Sequence, residues 1–245
     1  MKINVFKTVD ELLPAVADFF ATTAQMAILS RGEFNVALSG GTSPLKLYEL
    51  LASPDFRERI DWRKVNFFFG DERYVPKTSP ENNAHMVKKA LFDPLHISAS
   101  KIFSVDTTLP PHQAARNYSG EVFDHFEDGE VRFDLILLGL GANAHTASLF
   151  PHTSVLDEKF ATIKAVYVDE QNGYRITMTA PLINQARHIA FLVFGEAKRN
   201  AVFHVLEGTA EHGKYPAQLI QPAEGDLQWF MDEAAASKLT KRTVT

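Results

Sequence analysis

Four short apolar runs of this chain stop at a glycine: "FNVALSGG", "VNFFFG", "FDLILLGLG" and "HIAFLVFG". A strand exposed on one face alternates apolar with polar residues. Runs this uniformly apolar instead predict strands covered on both faces, as in a parallel sheet packed between helices. The stretches between them have helical spacing. One helix runs from about Asp10 to Arg31, with Gly32 as its stop. Others are "PLKLYELLA", with Pro44 in its first turn, "NNAHMVKKALF", the segment from about Pro111 to Glu127, and "EAKRNAVFHVLEG". "INVFK", "KIFSV", "TIKAVYV" and "YRITMTA" read as further strands, "DERYVPKTSPE" as a loop, and "HTASLF" as a short helix capped by Asn143; "DLQWFMDEAAAS" closes the pattern. This alternation predicts an α/β fold: a single domain over residues 1–245, with a mostly parallel sheet covered by helices on both faces. No internal repeat, low-complexity tract or linker interrupts it.

Charge and composition narrow the function. The net charge is −5 and the Lys and Arg residues are scattered, so no nucleic-acid partner is expected. With no cysteine, the chain has no disulfide, thiolate nucleophile or thiolate metal site. The histidines outside "HTASLF" lack metal-ligand spacing such as His-x-x-x-His, and no metal is expected. The opening "MKINVFKTVDELLPAVADFF" carries acidic residues inside its apolar stretch, unlike a targeting signal, and runs such as "AFLVFG" are too short to span a bilayer. A cytoplasmic protein with no membrane partner is the expectation.

Ligands of open parallel sheets sit outside the carboxyl ends of the strands. Four such ends carry polar residues here: "SGGTS", "GDER", "GLGANAH" and "FGEAK". In the first, Gly40 and Gly41 allow close backbone approach to an anion, the following helix start offers amides, and Ser39, Thr42 and Ser43 add hydroxyl donors. A tight capped turn is the plainer reading. It is not a Walker loop, because no Gly-Lys-Ser or Gly-Lys-Thr follows. Arg73, just past an apolar strand, suits a phosphate or a developing oxyanion, or an ion pair with its neighbours. Gly139, Gly141 and Ala144 imitate the spacing of a dinucleotide fingerprint, but the turn lies deep in the chain and is followed by "HTASLFPHTS". His145, at a strand end beside Thr146 and Ser148, is a candidate base. Arg175 and Lys198 are the cations best placed to face such a crevice, or else solvent.

Together these segments resemble the 6-phosphogluconolactonase family over nearly the whole chain. "LSGGTSPLKLYELLA", "FFFGDERYVP", "SPENNAHMVKKALFDPL", "FDLILLGLGANAHTASLFP", "RITMTAPLINQARHIAFLVFGEAKRNAV" and "PAQLIQPAEGDLQWFMDEAAA" follow the family's order. The resemblance implies the α/β fold shared with glucosamine-6-phosphate deaminase. It also implies hydrolysis of 6-phosphoglucono-1,5-lactone to 6-phosphogluconate, a step of the pentose phosphate pathway, with a sugar-phosphate lactone as partner and no cofactor. By the family's pattern His145 is the general base, with Asn143 and Arg73 beside it in the catalytic set. Ser39, Gly40, Gly41 and Thr42 line the sugar-phosphate site, and Arg73, Arg175 and Lys198 supply positive charge. The family usually reads Gly-x-Asp-Gly-His-Thr where this chain has Asn143 and Ala144, and Ser-Asn where it has Asn82 and Asn83. The alternatives are a deaminase-like isomerase, which would need an acid after the histidine where "ASLFP" offers none, and a non-catalytic sugar-phosphate sensor. A monomer or weak dimer is the expected assembly.

Overall fold

In the computed structural model, which describes residues 1–126 and 130–240, the chain runs β1 (Lys2–Phe6), α1 (Val9–Arg31), β2 (Phe34–Leu38), α2 (Thr42–Leu51), α3 (Pro54–Arg57), β3 (Val65–Phe69), β4 (Asp71–Arg73) and α4 (Asn83–Val87). It continues through α5 (Pro111–His125), β5 (Leu135–Leu138), β6 (Ile163–Val168), β7 (Gly173–Met178), α6 (Ala180–Ile183), β8 (His188–Val193), α7 (Arg199–Leu206) and β9 (Asp226–Asp232). The helix at Pro111 ends at His125; Glu127, the expected end, lies outside the described residues.

Six strands form one sheet in the order β1-β9-β8-β5-β2-β3, every neighbouring pair parallel. The apolar runs are its central strands, and their alternate residues enter two separate cores. Val36, Leu38, Phe67, Phe69 and Leu137 pack with α1 residues such as Phe20 and Ala24, while Ala37, Phe68, Ile136 and Phe191 pack on the opposite face with Tyr118 of α5 and Val202 of α7. Each fully buried Phe or Leu contributes about 1.5–3 kcal/mol of transfer free energy, so a strand apolar on both faces is held twice over.

Helix α1 shows how local chemistry sets an element. Thr8 caps it by accepting from the Glu11 amide, and Gly32 ends it at φ 86°, its N–H returning to the Ile28 carbonyl. By length and hydropathy α1 could cross a membrane, a point that scanning unbroken apolar runs overlooked. In the fold it is a core helix, with Leu12, Val16, Phe20, Ala24 and Ala27 fully covered.

Three expectations fail locally. "DERYVPKTSPE" is not all loop: Asp71–Arg73 is a strand that pairs antiparallel with β7, which pairs with β6, giving a second three-stranded sheet. "KIFSV" is not a strand; after a 3₁₀ turn at Ala99–Lys101 its backbone meets β3 at a single bridge between Phe67 and Ile102 and a bond from the Phe103 amide to the Phe67 carbonyl, while the Phe103 ring stacks on Phe68. "HTASLF" is not a helix and Asn143 caps none. Ala144 and Ala147 sit at φ 61° and 45°, in the left-handed region that no right-handed helix contains, and Thr146 bridges back to Leu149.

In the large sheet the chain moves from β2 outward to β3 on one side, then returns to build β5, β8 and β9 on the other. The order therefore reverses between β2 and β5, the place where a crevice opens at the strands' carboxyl ends.

Candidate active site

A cavity of about 300 Å³ opens there, lined from β2 by Ser39, from β5 by Gly139 and from β8 by Val193. Strand β2 ends in the glycine pair. The Tyr48 hydroxyl holds both the amide and the carbonyl of Ser39, at 3.1 and 2.8 Å, while Ser39 Oγ is buried at the cavity wall with no partner among the described residues. Gly40 has no room for a side chain, because a Cβ there would lie 1.8 Å from Asn83 Oδ1. Gly41, at φ 105°, opens α2 without any side chain capping its first turn, so no side chain claims the amides at Thr42 and Ser43 beside the cavity they line.

Strand β4 carries the charge. The buried Glu72 carboxylate accepts from the amides of Arg73, Asn83 and Ala84 at 2.8, 2.7 and 2.9 Å, fastening β4 to the start of α4. Asp71 accepts from the Ser148 hydroxyl at 2.6 Å, and burial raises its pKa above the usual carboxylate range. Arg73 stands directly opposite Arg175 in the β4–β7 register. Like charges facing across a strand pair are destabilising unless a negative charge joins them. Arg73 donates to the Glu81 carbonyl at 2.8 Å and Arg175 to Gln171 at 3.4 Å. Lys198, at the end of the 3₁₀ turn Glu196–Lys198 after β8, is the third cation, and burial lowers its pKa.

His145 sits among these cations. Its turn is closed by the Gly141 amide on the His145 carbonyl at 2.8 Å and by the Thr146 hydroxyl on the Gly139 carbonyl at 2.8 Å. Gly141 is needed because a Cβ there would fall 2.1 Å from His145 Nδ1. The imidazole stacks on Phe150, with ring centres 4.0 Å apart, and its Nδ1 lies 2.5 Å from Asn143 Oδ1. An amide oxygen only accepts, so Nδ1 bears the hydrogen and Nε2 keeps a lone pair. Burial, then the charges of Lys198, Arg175 and Arg73, push the pKa of His145 down to about 4.

The cavity thus brings together Ser39, Gly40, Gly41, Thr42, Arg73, His145, Arg175 and Lys198, all singled out in the sequence, while Asn143 stands behind the imidazole rather than in the wall. Asp71, Ser148 and Gln171 also line it but were given no role in the site, Ser148 having been noted only as a hydroxyl beside His145. "GDER" pointed to the first of these, whereas Ser148 and Gln171 belonged to segments read as a helix and a strand connection. Among the described residues, no group of three or more His, Asp or Glu side chains is placed to hold a metal ion.

The model of the glucosamine-6-phosphate isomerase and 6-phosphogluconolactonase family matches residues 7–229. The chain belongs to that family. It is 41% identical to the 6-phosphogluconolactonase of Synechocystis sp. over 89% of this chain and 90% of that protein, and 36% identical to that of Nostoc sp. over 97% and 98%. Its fold is similar to the 6-phosphogluconolactonase of Trypanosoma brucei, with a TM-score of 0.83, 27% identity and 98% of both chains covered. A monomeric glucosamine-6-phosphate deaminase, at 22% identity over 97% of this chain and 99% of that one, shares the fold with a TM-score of 0.82.

Proposed function

We propose that this chain hydrolyses 6-phospho-D-glucono-1,5-lactone to 6-phosphogluconate, with His145 as the general base. The observation that carries this reading is an imidazole held with Nδ1–H on Asn143, Nε2 unprotonated, and three cations around the same cavity. A lactone is an activated ester, so a positioned base and charge stabilisation suffice without a covalent intermediate. In this scheme Nε2 takes a proton from water as its oxygen bonds to the lactone carbonyl carbon. Negative charge builds on the carbonyl oxygen within reach of the cationic wall. Collapse of the tetrahedral intermediate breaks the bond to the ring oxygen, which leaves with the proton returned by the imidazolium. The glycine turn and α2 amides, together with Arg73, Arg175 and Lys198, supply the donors that a phosphate requires.

The low pKa of His145 fits the unloaded site, where burial disfavours the charged ring and three positive charges oppose a fourth. A bound phosphate offsets those charges, so the base becomes stronger when substrate is present. A deaminase reading is disfavoured because Ala147 to Pro151, the segment after the histidine, offers no acid. The test is His145→Ala. Its kcat on the lactone should fall by about 10²- to 10⁴-fold, with affinity for 6-phosphogluconate little changed by calorimetry. Near wild-type turnover in the folded variant would remove His145 from the mechanism.

A further inference from the structure

The turn joining β6 to β7 reaches the site twice. Its 3₁₀ segment, Asp169–Gln171, ends at Asn172 with φ 44°, and from it Gln171 accepts from the Arg175 guanidinium inside the cavity. The neighbouring Glu170 reaches the other side of the base. Its Oε2 accepts from Asn143 Nδ2 at 3.2 Å, while Asn143 Oδ1 faces His145 Nδ1 at 2.5 Å and the His145 amide at 3.4 Å. We propose that Glu170 is a positioning residue for His145, acting through the Asn143 side chain to hold the imidazole in the tautomer with a free Nε2.

The argument rests on how an amide can be oriented. Turned as found, it places an acceptor against two donors, Nδ1–H and the His145 N–H, and a donor against a carboxylate. Rotated by half a turn, it would set its oxygen against the Glu170 carboxylate and its NH₂ against the His145 N–H. Both ends therefore select one orientation. Without Glu170 the long 3.4 Å contact to the backbone amide is what still opposes rotation. A rotated amide donates to Nδ1, which then carries the lone pair and forces the hydrogen onto Nε2. That tautomer cannot accept a proton from water on the cavity side. The outer carboxylate thus gives a neutral residue at 143 a fixed direction, while the charges facing the ring itself remain those of Lys198, Arg175 and Arg73.

The consequence for turnover rests on the lactonase reading; the tautomer does not, and the two fail separately. The experiment is imidazole ¹⁵N NMR of the unliganded protein at pH 7, with the His145 signal assigned from His145→Gln, alongside kcat and KM on fresh lactone. Glu170 is exposed, so its variants are expected to fold. Wild type should show a protonated Nδ1 and a bare Nε2. Glu170→Ala should move the signal toward the Nε2–H form and lower kcat by about 3- to 10-fold, the scale of one hydrogen bond, with KM within about twofold. Glu170→Gln, whose oxygen can accept the same bond, should restore the wild-type signature and recover most of the lost kcat. A protonated Nε2 in wild type, or one unchanged tautomer in wild type and Glu170→Ala, overturns the proposal. A tautomer shift in a protein that turns over no lactone would keep the positioning role and discard the lactonase reading.

Discussion

Strands β7 and β8 follow each other in the chain yet obey opposite rules. In β8, between β5 and β9, every residue after His188 is buried, and Phe191 stacks on Trp229 with ring centres 3.9 Å apart. In β7 the first three residues are only partly covered, and Arg175 faces Arg73 across the ladder. The first arrangement lowers the free energy of the fold. The second raises it, through a like-charge pair that would become favourable under the proposed reading, in which a substrate phosphate sits against it. Stability and ligand binding should therefore respond separately to substitutions in the two sheets.

The largest effect expected lies in the parallel sheet. Phe191→Ala should cost about 3–5 kcal/mol of unfolding free energy in urea, from lost transfer energy and the cavity left behind. The molecules that remain folded should bind 6-phosphogluconate as before. A loss of affinity as large as the loss of stability would erase the distinction between the sheets. Arg175→Ala is the converse. Affinity for 6-phosphogluconate should fall by about 1.5–3 kcal/mol, the range for a charged hydrogen bond, while Tm stays level or rises because Arg73 loses a like-charged neighbour. Titration with 6-phosphogluconate and with gluconate, beside a thermal melt, reads both. Equal affinity for the two ligands in wild type would place the phosphate elsewhere.

A smaller effect is expected behind the base. Asn143 Oδ1 touches Nδ1 directly, so Asn143→Asp brings a carboxylate to an imidazole whose pKa lies near 4. A nearby negative charge favours the protonated ring, so the pKa should rise by about one unit, equivalent to about 1.4 kcal/mol. In the proposed mechanism the active form is the unprotonated one. The acidic limb of kcat/KM should therefore move to higher pH, and activity near pH 8 should be equal or higher, since the base there is still unprotonated and more basic. An unmoved limb would deny coupling between residue 143 and the base.

The smallest effect is at Ala144, where the family usually has glycine. Its φ of 61° is costly for any residue with a Cβ, so Ala144→Gly should change stability by less than about 1 kcal/mol, relief of strain offsetting a lost methyl contact. Ala21→Gly in α1, equally buried but helical, should cost about 1.5–2 kcal/mol. Equal losses at both positions would show that the turn bears no strain.

The same contrast explains what could be read from the sequence. The large sheet was legible because a strand buried on both faces writes its environment into every residue, as "VNFFFG" and "HIAFLVFG" do. The glycine turns, Arg73 and Lys198 were legible because strand ends locate a crevice, whereas Arg175 lies within β7 and at none of those ends. Strand β4 was not, since "DER" has no apolar pattern and its partner β7 lies about a hundred residues on. The mistaken helix at "HTASLF" followed local propensity, which tertiary bonds override: Thr146 is held by Gly139, and Ser148 by Asp71. Glu170 was invisible for a related reason. "DEQNGY" announces a tight turn, but nothing local says that the turn closes over Asn143.

The most direct test of the account is to follow freshly generated 6-phosphoglucono-1,5-lactone with the purified chain, subtracting spontaneous hydrolysis, with glucosamine-6-phosphate assayed in parallel for ammonia. The account predicts enzyme-dependent formation of 6-phosphogluconate and no ammonia. Lactone decay no faster than the spontaneous rate, or ammonia released from the amino sugar, would contradict it.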